Sequence, residues 1–129
     1  MGGLGLYVAY LAVAVLLVGI GLAVYSLITP YNELRLIREG NAAAAYSLSG
    51  TAIGFALAVA SAAAHSVGLL DLLIWGVIAL VSQLVVFFAV SALLPGFRQG
   101  IETGKASYGL TLGGVSIAMG ILNAGSLTT

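Results

Sequence analysis

Four side chains carry functional groups that an otherwise apolar chain must account for: His65, Asp71, Gln83 and Asn123. His65 and Asp71 stand six residues apart. Brought together, an imidazole and a carboxylate make a proton-accepting pair that titrates close to neutral pH. The competing reading makes both solvated turn residues, with Asp71 as the N-cap of the helix that follows, where a negative charge suits the helix dipole. Gln83 places a primary amide in the middle of an apolar run. It either ties two helices together or lines a polar path through the membrane. Asn123 lies near the end of the last apolar run and is suited to pairing with a helix end. Ser47, Ser49, Thr51 and Ser61 can return hydrogen bonds to their own helix carbonyls.

Enzymatic chemistry finds no support in the remaining residues. The chain has no cysteine, which excludes a thiol nucleophile, a disulfide framework and a Cys-based metal site. A single histidine cannot build a His-Glu-x-x-His zinc site, and neither a Gly-x-Ser-x-Gly elbow nor a phosphate-binding glycine loop occurs. The expectation is a protein that is not an enzyme and takes no cofactor and no metal.

The elements that hold these residues follow from where the charges lie. Of 129 residues 61% are apolar and only eight are charged, four of each sign. A soluble domain carries about 25% charged residues. With no net charge, nothing points to a nucleic-acid partner; the first partner is the lipid bilayer. Glu33, Arg35, Arg38 and Glu39 form one group, Arg98, Glu102 and Lys105 another, and Asp71 stands alone. The uncharged runs between them each reach the roughly 20 residues that a helix needs to cross a hydrocarbon core. The chain therefore reads as a single transmembrane domain, 1–129, an all-α membrane protein with four transmembrane helices at about 4–28, 42–64, 69–94 and 106–127. The first run lacks a basic segment before it and is too long for a signal peptide, so it is expected to remain as a helix. Leu6 stands where a myristoylation signal needs Ser or Thr.

All four basic residues fall in the connections 29–41 and 95–105. Short loops rich in Lys and Arg stay cytoplasmic, so both termini are expected to be extracytoplasmic. The two connections also resemble each other: Ile37-Arg38-Glu39-Gly40-Asn41-Ala42 aligns with Ile101-Glu102-Thr103-Gly104-Lys105-Ala106 at an offset of 64. Pro30 meets Pro95 after a one-residue slip. This describes two helical hairpins, 1–66 and 67–129, repeated in parallel about an axis along the membrane normal. Gly40 and Gly104 suit left-handed positions that close a short turn. Tyr31, Leu34 and Ile37 make one apolar face that can rest on headgroups.

The first and third spans are bulky, whereas the second and fourth are rich in small residues. Gly50, Gly54 and Ala58 recur at four-residue spacing in the second, and Gly113 and Gly120 mark the fourth. Such faces let helix backbones approach closely, which places these two spans in the bundle interior or at a subunit interface.

The run Ile28-Thr29-Pro30-Tyr31-Asn32-Glu33, then Ser49-Gly50-Thr51-Ala52-Ile53-Gly54-Phe55, Trp75-Gly76, Gln83-Leu84, Leu94-Pro95 and Gly120-Ile121-Leu122-Asn123-Ala124 resembles the YjfL-type bacterial inner-membrane proteins. The resemblance spans about 100 residues in order. It implies a four-helix inner-membrane protein made of two similar hairpins, and it supplies no activity and no catalytic residue. Members often end in a Cys-Met-Thr-aromatic tail, where this chain reads Gly125-Ser126-Leu127-Thr128-Thr129. Two functions are consistent with these residues. One is a homo-oligomeric permeation or transport component. The other is a structural or adaptor subunit beside a partner membrane protein or in an envelope-stress system.

Overall fold

The computed structural model describes residues 2–127; Met1 and the last two residues of the tail, Thr128 and Thr129, lie outside the described residues. It contains six helices: α1 (Gly2–Ile28), α2 (Glu33–Arg38), α3 (Ala42–His65), α4 (Leu69–Leu93), α5 (Phe97–Glu102) and α6 (Ala106–Leu127). The four long ones are long and apolar enough to cross a membrane.

The short helices show how the sequence ends each span. Pro30 cannot continue α1, and the Thr29 hydroxyl turns back to the Ser26 carbonyl at 3.2 Å. Asn32 then caps α2 by accepting from the Arg35 N–H at 3.1 Å. Gly40 adopts φ +86° and closes α2, with the Asn41 N–H bonded to Leu36 O and the Gly40 N–H to Ile37 O, both at 2.9 Å. The same pair of bonds recurs 64 residues on. Gly104 has φ +80°, the Lys105 N–H reaches Gly100 O at 2.9 Å, and the Gly104 N–H reaches Ile101 O at 3.0 Å. Both are Schellman closures, which need a left-handed residue that glycine adopts without strain. Long, short, long thus occurs twice along the chain.

α3 and α6 make the most extensive contact in the bundle. A Cβ on Gly109 would strike the backbone of Ala43, one on Gly113 the backbone of Tyr46, one on Gly50 the backbone of Gly113, and one on Gly120 the Gly54 carbonyl. Residue numbers rise together on both helices, so α3 and α6 run parallel. The connections 29–41 and 95–105 consequently share one end of the bundle. Asn41 joins them: its Oδ1 caps α3 by accepting from the Ala44 N–H at 3.0 Å, and its Nδ2 donates to Ile101 O at 2.7 Å.

α3 is the most covered span and α1 the least, while α6 is no better covered than α4. The reason is that α6 presents its glycine face to α3 and leaves Leu110, Ile121 and Leu122 exposed. Phe55, Leu72, Leu80 and Phe87 fill the centre. Tyr31 differs from the expected headgroup position. The chain reversal at Pro30 folds it under the bundle, where it is buried and packs edge-on to Phe97 at 6.2 Å.

Candidate functional site

Gln83 and Asn123 are brought together. Gln83, 2% exposed, donates from Nε2 to Ser116 O at 2.9 Å and accepts at Oε1 from Asn123 Nδ2, also at 2.9 Å. The second Asn123 amide hydrogen is positioned for Ser82 Oγ at 3.0 Å, while the Ser82 hydroxyl donates to Ala79 O at 2.8 Å. This closes a clasp between α4 and α6 in which both amides bond to protein partners. Gly54 makes room for it, since a Cβ there would meet the Ser116 carbonyl and the Gln83 amide. A satisfied buried network of this kind fixes packing.

His65 and Asp71 are not joined. His65 is exposed, and its Nδ1 pairs with Ser61 O of its own helix at 3.0 Å. Gly68 holds the N-cap position of α4, and Asp71, three residues inside, accepts from the Val67 N–H at 3.0 Å. Its carboxylate ties down the turn from within the first helical turn rather than from the cap.

Two of the hydroxyl residues of α3 bond to other helices. Ser61 Oγ donates to Ala124 O of α6 at 3.2 Å, and Ser47 Oγ pairs with the Tyr25 hydroxyl at 2.9 Å. Thr51 Oγ1 and Ser116 Oγ are buried without a partner.

The second polar constellation centres on an acid that the sequence pattern groups with Arg35, Arg38 and Glu39 in the first connection. Glu33 is only 4% exposed. Asn32 caps α2 and so fixes Glu33 in its first turn, and the fold-back at Pro30 directs that turn beneath α1 and α3. Tyr25 and Tyr31 stand beside the carboxyl, and Ser47 bonds the Tyr25 hydroxyl. The Tyr25 hydroxyl faces Glu33 and favours its ionised form, yet its hydrogen bond goes to Ser47, and neither Glu33 oxygen completes one. The Tyr31 hydroxyl is likewise buried and unpaired. Burial strips water from the carboxylate and pushes its pKa up to about 7, with the Tyr25 hydroxyl pulling slightly the other way. Tyr31 is raised by its own burial and by the Glu33 charge. Among the described residues the one ion pair is the exposed Arg98–Glu102 contact at 3.5 Å, so no cation neutralises Glu33. The available signal was the placement of two phenols on either side of Pro30, next to the first acid of the chain.

Four apolar spans with both charged connections at one end, an interior clasp of amides and one buried lone acid define a small polytopic membrane protein. The chain belongs to the family described as Domain of Unknown Function DUF350, whose model matches residues 1–127. It is 40% identical over 120 residues to the UPF0719 inner membrane protein YjfL of Escherichia coli (strain K12), covering 93% of this chain and 91% of that protein. It is 30% identical over 121 residues to the UPF0719 transmembrane protein YshE of Bacillus subtilis (strain 168), covering 92% and 90%. No solved structure matches the chain. It is an inner-membrane protein of a family whose function is unknown.

Proposed function

We propose that the protein is a structural subunit of the inner membrane, a closed bundle that offers its bare apolar flanks to lipid or to a partner membrane protein. The observation that supports this reading most is the α3–α6 contact. Glycine backbones meet there directly, which leaves no room for a hydrated ion between these two spans. The amides of Gln83 and Asn123, the natural lining of a path, are spent on each other and on Ser116. The two charged connections lie on the cytoplasmic side in this reading, by the basic residues they carry. No catalytic step is part of it.

Buried Glu33, without a counter-charge, favours a second reading as a permeation component. That reading routes the path between copies in a homo-oligomer. Proteoliposomes loaded with pH- and potassium-sensitive dyes separate the two. The structural reading expects dye responses equal to those of protein-free vesicles, for wild type and Gln83→Leu alike. A protein-dependent flux, whether or not Gln83→Leu alters it, would overturn it in favour of permeation.

A further inference from the structure

A cleft of about 720 Å³ opens where α1 leaves its span, lined by Ala23, Leu27, Pro30, Leu34, Tyr31 and Glu33 among others. Its wall is apolar toward the last turns of α1 and polar toward α2, the profile of the boundary between acyl chains and headgroups. Glu33 brings the one formal charge among the residues that line it. Three buried oxygens there lack hydrogen-bond partners: Glu33 Oε1, Glu33 Oε2 and the Tyr31 hydroxyl. Buried polar atoms left without partners call for an explanation, of which an absent ligand is one.

We infer that this cleft binds the primary-ammonium headgroup of a bilayer lipid. A primary ammonium carries one positive charge and three N–H donors, which matches one carboxylate and three unpaired oxygens. Tyr31 adds an aromatic ring beside the cation. A bare alkali ion would match the charge but neither the directional acceptors nor the volume and apolar wall of the cleft. A second groove, between α1 and α3, is lined by Ala14, Val15, Val18, Ala56, Val59 and Ala60. Val15 lies 11 residues before Ser26 of the cleft, about three turns and roughly 16 Å along the same helix face. That is a fitting track for an acyl chain.

This deepens the structural reading by naming a lipid partner. It is tested without any gradient, so a flux result and a lipid result fail separately. Wild type, Glu33→Gln and Glu39→Gln are reconstituted in vesicles of equal parts dioleoyl phosphatidylethanolamine and dioleoyl phosphatidylcholine, extracted in mild detergent, and their retained lipids weighed by native mass spectrometry. A charge-assisted hydrogen bond predicts a preference of about tenfold for the ethanolamine lipid, whose headgroup keeps its N–H donors. Glu33→Gln should bring that ratio to about one, while Glu39→Gln, which removes an exposed charge from the same connection, should leave it unchanged. Equal retention of both lipids by wild type would overturn the assignment. So would a preference that survives in Glu33→Gln, or displacement of the lipid by soluble ethanolamine at the same concentration.

Discussion

At the scale of single residues, the chain holds its polar groups in two opposite states. Gln83 sits deep in the bundle, Asn123 is half-buried beside it, and both have their partners. Glu33 sits at its charged end and has none. Linear sequence separates these cases poorly, because both depend on what arrives from elsewhere in the chain. Gln83 was legible as an intramembrane amide, whereas its partners came from α6, 33 and 40 residues away. Glu33 shares a short segment with three other charges, two of them basic, and only the Pro30 reversal makes it the buried one. Its protonation has a measurable consequence. Folding raises the Glu33 pKa from an ordinary 4.5 to about 7, so between those values the folded protein binds more protons than the unfolded chain. Stability is therefore full below about pH 4.5 and is lost as pH rises through 7, by an amount on the order of 3 kcal/mol. Denaturation in mild detergent should show this decline from pH 5 to pH 8, and Glu33→Gln should flatten it. An unchanged slope in that variant would remove Glu33 as the cause.

At the scale of elements, neighbouring glycines on α6 have different duties. A Cβ on Gly113 would meet the Tyr46 backbone, whereas Gly114 has nothing within 4 Å. Gly113→Ala must push α3 and α6 apart and should cost about 1–3 kcal/mol. Gly114→Ala should be neutral or stabilising by up to about 1 kcal/mol, since it only removes backbone freedom from a helix. Thermal unfolding of the two variants in one detergent checks this; equal losses would mean that the glycine face is not the contact. The periodicity of small residues made the presence of such a face readable in α3 and α6. On α6 it singled out Gly113 and Gly120; what it left open was the partner of this face, because the spacing alone fits a bundle interior or a subunit interface. Helix ends were readable wherever a residue type has one use, as with Pro30, Gly40 and Gly104. The start of α4 was readable at 69, but its cap was not, because Gly68 takes the cap without a side-chain bond and Asp71 serves from inside the helix.

At the scale of the whole molecule, eight charges and their gaps were enough to read four spans and their order. The parallel contact of α3 and α6 is what places both charged connections at one end, and Asn41 ties those connections together. If that end is cytoplasmic, a periplasm-active reporter such as alkaline phosphatase fused after Thr129 will be active, and the same reporter inserted at Thr103 will be silent. The reverse pattern would invert the topology. The closed interior itself admits a more direct test, because the chain has no cysteine and single-cysteine variants carry no background. Thr51→Cys and Ser116→Cys place a thiol at two buried positions, while Val67→Cys and Thr103→Cys place one at exposed turns on opposite ends. With a charged, membrane-impermeant thiol reagent applied from each side of native vesicles, the closed bundle predicts labelling at 67 from one side only, at 103 from the other only, and at 51 and 116 from neither. Labelling of 51 and 116 at rates comparable to 67 and 103 would show a water-filled interior and contradict the account.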